Sequence, residues 1–239
     1  MDGSGGPNAP SPQDRGLEDR GPRILLTFDN GPEPEVTPRV LDILERRGVK
    51  AAFFMLGRKL QRAEGRRLAE QAFAAGHRIG NHTFSHETPF GRMANPLDAI
   101  AEIDRTQALM GDLAGEEKLF RPFGGAGVLG PALLNRPAVK HLQANAFTLA
   151  LWTSVPRDWI EPEAWPPRAL ADYVADQAAG RDTVLVLHDL PTGAADGLDA
   201  FLGELQARGA QFTQSMPDRA TPIRRGVLTG DLTGLVAHA

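Results

Sequence analysis

Short apolar runs alternate with amphipathic helical stretches about seven times along the 239-residue chain. The runs at 23–28 and 183–188 are typical of strands buried on both faces, because they carry almost no polar residue. Strand–helix alternation predicts a parallel sheet, either closed as a barrel or doubly wound. The predicted strands are 23–28, 50–56, 77–80, 119–122, 146–152, 183–188 and 210–213. The predicted helices are 37–48 (with Thr37 as N-cap), 60–75, 95–110, 133–144, 168–179 and 196–208.

The nucleotide-binding version of this architecture has no support in the sequence. No Gly-x-Gly-x-x-Gly follows the first strand, and no Gly-Lys-Ser/Thr phosphate loop occurs. The chain therefore favours an α/β barrel with about seven parallel strands, one fewer than the usual eight. In such barrels the reactive side chains lie at the carboxyl ends of the strands.

Composition limits the classes of function and the chemistry of any metal site. Hydrophobic residues make up 41% of the chain, which is enough for a sizeable core, and the net charge of −4 argues against nucleic acid or an anionic membrane as partner. There is no cysteine, so a metal must be held by His, carboxylate or amide ligands. No apolar run is long enough for a transmembrane helix.

Three segments are expected. Residues 1–20 are rich in Gly, Pro, Asp and Ser and are predicted to be a flexible tail, 21–214 to be the barrel, and 215–239 to be a C-terminal extension. The tail lacks the apolar centre of a signal peptide, so the protein is expected to be cytoplasmic, or exported with its leader absent from this sequence. Oligomeric state is left open.

Polar residues gather where the predicted strands end. His82 and His86 are four residues apart, so on one helical turn both imidazoles could point at one ion. Each such residue alone is more simply a turn, surface or core residue, but their shared position at one end of a barrel predicts a single site. The other members are Asp29, Asn30, Arg121, Asp158 and His188.

Five ordered blocks resemble the polysaccharide deacetylases of carbohydrate esterase family four, the NodB-homology family. The chain has Thr-Phe-Asp-Asn at 27–30 where the family has Thr-Phe-Asp-Asp, and His-Thr-Phe-Ser-His at 82–86 where it has His-Ser/Thr-x-x-His. Arg-Pro-Phe-Gly at 121–124, Asp-Trp at 158–159 and Val-Leu-His at 186–188 resemble the remaining three blocks. The resemblance implies a distorted, NodB-like (β/α) barrel of about seven units.

The resemblance also implies a role for each matching residue. Asp29 would be the general base and His188 the general acid, with Arg121 orienting the base and Asp158 supporting the acid. Asn30, His82 and His86 would hold a divalent metal, usually zinc in this family. The backbone N–H of Phe123 would help to bind the oxyanion, and Trp159 and Leu187 would line the acetyl pocket. The substrate implied is an N-acetylated carbohydrate such as a chitooligosaccharide or peptidoglycan.

Two departures from the family pattern keep alternatives open. Asn30 stands where the family mostly has a metal-binding Asp, and Val155 stands where it has the first Asp of Asp-x-x-Asp-Trp. A neutral amide predicts weaker metal binding than a carboxylate, or a water in its place. The leading hypothesis is therefore a metal-dependent N-deacetylase. The alternatives are a non-catalytic carbohydrate-binding descendant of the same barrel and a deacylase of a small non-sugar amide.

Overall fold

A computed structural model describes residues 21–237, so the predicted tail at 1–20 and the last two residues of the predicted extension lie outside the described region. The strands are β1 Arg23–Asp29, β2 Ala52–Met55, β3 Arg78–Asn81, β4 Leu119–Phe120, β5 Thr148–Leu149, β6 Thr183–His188, β7 Gln211–Phe212, β8 Ile223–Arg224 and β9 Val227–Leu228. The helices are α1 Thr37–Arg47, α2 Gly57–Leu60, α3 Ala63–Ala74, α4 Asp98–Met110, α5 Arg136–Ala144, α6 Trp165–Ala178 and α7 Ala195–Ala207.

The sheet is a distorted barrel, as predicted. Its strands are ordered β6-β1-β2-β3-β4-β5-β8-β9, with β7 paired to the start of β1. The pairings among β1 to β7 are parallel, which confirms the predicted seven parallel strands. A single parallel bridge between Ser154 and Leu185 joins the chain after β5 to β6, so the curved sheet closes on itself at that point.

Side-chain alternation divides the core into two layers. Along β1, Ile24, Leu26 and Phe28 pack outward against the helices, whereas Leu25 belongs to the interior cluster. The same alternation along β6 puts Leu185 and Leu187 outside, among the residues that contact helices. Because successive side chains of a strand point to opposite faces, the intervening residues line the barrel interior.

Several predicted boundaries differ from the structure. The predicted helix at 60–75 is two helices, α2 and α3, and the helix predicted from 133 begins at Arg136 with Asn135 as its N-cap. Thr37 was predicted to cap α1, but the N-cap position is Val36. The Thr37 hydroxyl instead accepts a hydrogen bond from the backbone N–H of Glu33 and donates one to Asp189.

Residues after 214 complete one side of the sheet. β8 pairs antiparallel with β5, and β9 pairs antiparallel with β8. Leu235 is buried in the interior cluster, and Val236 forms a bridge with Leu134. The described part of the predicted extension is therefore packed against the barrel. None of the helices within residues 21–237 combines the length and apolar character needed to cross a bilayer.

Candidate functional site

The predicted site residues come together at the carboxyl ends of the strands, around a cavity of about 350 Å³. This volume lies at the lower end of the range for small-molecule sites. Seven of the ten predicted residues line it: Asp29, Asn30, His82, His86, Phe123, Trp159 and His188. Arg121 and Asp158 are fully buried and contact lining residues from behind, and Leu187 faces away.

Asp29 is the last residue of β1, and its carboxylate is held by a buried arginine. Oδ1 accepts a hydrogen bond of 2.8 Å from Arg121, and Oδ2 lies 3.6 Å from Nε2 of His82. Burial alone would raise the pKa of the Asp29 carboxyl, but the nearby charges of Arg121, His82 and His188 together hold that pKa below its ordinary value. Asp29 is therefore ionised at neutral pH and able to accept a proton.

Arg121 is tied to several acceptors at once. Besides Asp29, its guanidinium donates to the hydroxyl of Thr27 at 2.6 Å and to the carbonyls of Ala150 at 3.1 Å and Leu151 at 3.3 Å. The guanidinium also lies 3.9 Å from the centre of the Phe54 ring, which covers one of its faces. These contacts fix the position of Arg121 and, through it, that of the Asp29 carboxylate.

His188, the last residue of β6, lies next to Asp29 across the β1–β6 pairing. The carboxylate of Asp158 accepts a hydrogen bond of 2.8 Å from Nδ1 of His188 and another of 2.7 Å from the backbone N–H of the same residue. Burial alone would lower the pKa of His188, but the hydrogen bond and charge of Asp158 raise it above the ordinary value. The ring of Trp159 packs edge-on against the imidazole of His188, with 4.6 Å between the ring centroids, which further limits the motion of His188.

The two histidines of the His-Thr-Phe-Ser-His block lie in a loop after β3, so the expected helical turn was wrong. Thr83 and His86 have positive φ values of 68° and 57°, a conformation that is unfavourable for side chains with a Cβ and is retained mostly at functional sites. The loop still brings the two rings to a centroid distance of 5.0 Å, and His86 stacks on Phe123 at 3.8 Å. Backbone geometry specific to this loop, rather than helical spacing, makes the pair converge.

Glu102 of α4 holds this loop in place, a role that no sequence pattern predicts. Its Oε2 accepts hydrogen bonds from the backbone N–H groups of Phe84 at 3.0 Å and Ser85 at 2.8 Å, and from the Ser85 hydroxyl at 3.1 Å. One carboxylate oxygen thus satisfies two successive N–H groups immediately before His86. An exposed acidic residue in a helix would ordinarily be assigned to the solvent face, so only the contact reveals its role.

The donor atoms of Asn30, His82 and His86 fit a divalent cation. Oδ1 of Asn30 is buried and has no hydrogen-bond partner among residues 21–237, and an orphaned buried oxygen calls for an explanation such as an ion. Nδ1 of His82 donates to the carbonyl of Arg121 at 2.9 Å, which leaves Nε2 as the nitrogen with the lone pair. Burial is the main cause that lowers the pKa of His86 to about 3, so its imidazole is also neutral.

The amide of Asn30 is essential to that fit. Within residues 21–237 no three His, Cys, Asp or Glu side chains form a group that could hold a metal ion. A metal at this position would therefore have two neutral imidazoles and one neutral oxygen as ligands, with positions left for water or substrate.

Leu187 does not line the cavity, which corrects the prediction that it walls the acetyl pocket. It is fully buried in the outer layer of the core, because it alternates with Val186 and His188 on β6. Val186 lines the cavity in its place, two residues before the histidine. Val155 and Trp152 also line it, and Nε1 of Trp152 donates to the carbonyl of Gly127 at 2.6 Å.

Asp189 is a second acidic residue, at the predicted end of the sixth strand beside His188, and the sequence assigned it no role. It is fully buried directly after His188, and it accepts a hydrogen bond of 2.5 Å from the Thr37 hydroxyl. Burial raises the pKa of Asp189 to about 7. A Cβ at Gly31 would overlap its carboxyl group, so the loop after β1 can pass this close only with glycine at that position.

This chain is similar in sequence and in fold to proteins that are named for the deacetylation of carbohydrates. The family model described as "Polysaccharide deacetylase" matches residues 17–141. Two peptidoglycan-N-acetylglucosamine deacetylases of Bacillus cereus are 33% identical over 196 residues and 31% identical over 199 residues. Each alignment covers 79% of this chain, and they cover 84% and 65% of the two relatives respectively. The chain thus spans slightly less than two thirds of the second relative.

The names of other similar proteins refer to chitooligosaccharide, peptidoglycan and acetyl xylan. A chitooligosaccharide deacetylase of Rhizobium leguminosarum bv. phaseoli is 34% identical over 171 residues, which cover 70% of this chain and 68% of that protein. The solved peptidoglycan deacetylase PdaC of Bacillus subtilis superposes with a TM-score of 0.66 at 26% identity, covering 83% of this chain and 90% of that one. A family 4 acetyl xylan esterase of Clostridium thermocellum, solved with a cobalt ion, has a TM-score of 0.62 at 26% identity, covering 80% and 87%.

Proposed function

The chain belongs to the polysaccharide deacetylase family, and we propose that it is a metal-dependent hydrolase that removes N-acetyl groups from an N-acetylated glycan. The observation that carries this proposal is the pairing of Asp29 with His188 at neighbouring strand ends. Their surroundings move the two pKa values in opposite directions, so that one group is ionised and the other retains a proton near neutral pH. Such a divergence is the usual sign of a base and an acid that act in one reaction.

The mechanism follows from these two groups. Asp29 accepts a proton from the attacking water, and Arg121 keeps the carboxylate oriented towards the cavity. As the C–N bond breaks, the departing nitrogen needs a proton, and His188 donates it from its Nε2, since Nδ1 is bonded to Asp158. The backbone N–H of Phe123 is proposed to stabilise the oxyanion, and Trp159 to bound the pocket beside His188.

Asn30, His82 and His86 would hold the divalent metal, with zinc as the first candidate. Bound there, it would lower the pKa of a coordinated water to about 7 and polarise the acyl carbonyl. The unpaired oxygen of Asn30 and the neutral imidazoles support this ligand set. The cobalt ion in the esterase of Clostridium thermocellum adds support from a structural neighbour.

Acetate release is the direct test of the proposed activity. The purified protein, supplied with Zn²⁺ or Co²⁺, is expected to release acetate from N-acetylglucosamine oligomers and from peptidoglycan fragments. Asp29→Asn should lower kcat by about 100-fold or more, since a positioned base contributes about 10²- to 10⁴-fold. Asp42→Asn, which changes an exposed carboxylate on α1, is the matched control and should leave kcat unchanged. Activity that survives both a chelator and Asp29→Asn would contradict the proposal.

Metal binding can be measured without turnover. Titration calorimetry with Zn²⁺ should show binding to the wild-type protein, and Asn30→Asp should bind at least tenfold more tightly, because a carboxylate adds negative charge to a neutral ligand set. Equal affinity in the two proteins would show that residue 30 is not a ligand.

The replacement of the usual ligand by Asn30 also motivates a second candidate, a carbohydrate-binding protein without catalysis. Saturable binding of N-acetylglucosamine oligomers with no acetate release at any metal concentration would select that candidate.

A further inference from the structure

The cavity wall is divided between a polar cluster and an apolar surface. Its charged and amide side chains are Asp29, Asn30, His82, His86 and His188, all of which have a proposed role in catalysis or metal binding. The other lining side chains are aliphatic or aromatic or are absent, as at Gly124 and Gly127. Outside the reacting centre, therefore, no lining side chain among residues 21–237 carries a charge or an amide that would recognise sugar hydroxyls.

The apolar surface lies beneath the reacting centre. Val186 precedes His188 by two residues on β6 and is paired in register with Thr27, just as His188 is paired with Asp29. It is therefore one layer deeper in the barrel interior. Val186 and Trp152 are only 4% and 8% exposed, which agrees with a position on the cavity floor.

The glycine-rich loop closes one side of this floor. Trp152 donates to the carbonyl of Gly127, and a Cβ at Gly127 would come within 2.8 Å of the Val155 side chain. The loop therefore lies directly against Trp152 and Val155. Because the barrel interior below is packed with side chains, a glycan chain cannot pass through it and must lie at the open mouth. The part of the substrate that reaches the floor is then the acyl substituent.

We propose that the floor formed by Trp152, Val155 and Val186 accepts N-acyl groups longer than acetyl, so that this enzyme is an N-deacylase for short aliphatic amides of amino sugars. This inference rests on the proposed amide hydrolysis. The reaction is unchanged in its balance: the water oxygen bonds to the acyl carbon, the C–N bond breaks, and the products are a short-chain carboxylate and the protonated amine. The cavity of about 350 Å³ contains both the reacting centre and this floor, and the side chains at the floor are all apolar.

The test compares glucosamine oligomers that carry N-acetyl, N-propionyl or N-butyryl groups, with the metal-loaded protein. The expected kcat/KM for the longer acyl groups equals or exceeds that for acetyl, by up to roughly fourfold for each methylene that becomes buried. A kcat/KM for propionyl more than tenfold below that for acetyl would overturn the inference while leaving the proposed deacetylase intact.

Two variants at one floor position sharpen the comparison. Val186→Ile removes about one methylene of space and should lower the butyryl-to-acetyl ratio of kcat/KM by roughly fourfold, whereas Val186→Ala should raise it. Val174→Ile makes the same change on the exposed face of α6 and should leave the ratio unaltered. The ratio is measured on one sample, so partial unfolding of a variant cancels. Equal ratios in all four proteins would contradict the role of Val186.

If no amide is hydrolysed, the proposed function fails, and the floor can still be tested by calorimetry with sodium acetate and sodium butyrate. Tighter binding of butyrate to the wild-type protein, weakened in Val186→Ile, would support the apolar floor. Equal or weaker binding of butyrate would overturn it.

Discussion

The contact between Asp158 and His188 predicts a linked change in activity and stability when Asp158→Asn is made. The wild-type carboxylate accepts two hydrogen bonds from one residue, at Nδ1 and at the backbone N–H. An asparagine offers one oxygen for these two donors, and its NH₂ group would face Nδ1. A protonated imidazole, which has N–H at both positions, would then meet a second donor, so the variant disfavours the charged form of His188.

The expected loss of activity follows from that change in protonation. With Asp158 in place, the pKa of His188 is raised against the effect of burial. Without the Asp158 carboxylate, burial is opposed only by the charges of Asp29 and Asp189, which are smaller causes, so the pKa of His188 should fall. The proposed acid is then unprotonated at pH 7, and kcat should fall by about 100-fold or more. The alkaline limb of the kcat profile should also move to lower pH.

The same pair predicts how stability depends on pH. Hydrogen bonds to charged groups contribute about 1.5–3 kcal/mol each, and asparagine retains one neutral bond of about 1 kcal/mol, so the variant should lose on the order of 2–5 kcal/mol. Because the folded-state pKa of His188 lies above its unfolded value, the contribution of its protonation is fully present below pH ~6.5 and is lost as pH rises through the folded pKa. The difference in unfolding free energy should therefore be larger at pH 6 than at pH 9.

Urea denaturation at both pH values and a kcat profile from pH 5 to pH 10 measure these effects. The chain offers a matched control, since Asp104 lies 2.7 Å from Nε2 of His141 at the protein surface. Asp104→Asn removes an aspartate–histidine pair that does not line the cavity, and it should leave the alkaline limb of the kcat profile at the same pH. A limb that does not move in Asp158→Asn, or a stability difference that grows at pH 9, would refute the reasoning.

Three further changes test the supports of the site. Arg121→Lys keeps the positive charge but loses the planar guanidinium that donates to both Thr27 and Asp29. It should lower the free energy of unfolding by about 3 kcal/mol in urea titrations, and an unchanged value would contradict the role of the guanidinium. Glu102→Gln should weaken Zn²⁺ binding by about tenfold in calorimetry, because the Glu102 carboxylate holds the loop that carries His86. Unaltered affinity would show that this loop keeps its conformation without the carboxylate. Gly31→Ala should destabilise by about 1–3 kcal/mol, and adding Asp189→Ala should recover part of that loss if the overlap is its cause.

The fold class and most of the reacting side chains could be predicted from the sequence because their signals are local. A run such as residues 183–188 is apolar from Val184 to Leu187, and β6 has the predicted bounds in the structure. Asp29, Arg121 and His188 fall at or just after strand ends, and a parallel barrel necessarily brings such positions to one rim. The short strands β4, β5 and β7 were overestimated in length, since curvature of the sheet leaves few paired residues there.

Contacts between distant segments were decided only by the tertiary structure. Glu102 reaches the histidine loop from α4, although nothing in the local sequence distinguishes it. Thr27 belongs to the Thr-Phe-Asp-Asn block, but no local pattern predicts that it accepts a hydrogen bond from Arg121, 94 residues away. The choice between Val186 and Leu187 at the cavity wall depends on strand register, because a shift of one residue exchanges the two faces of a strand. The sequence by itself thus determined which chemical groups reach the rim of the barrel. The packing of strands and helices decided which side chains hold those groups in place, and which side chains form the floor beneath them.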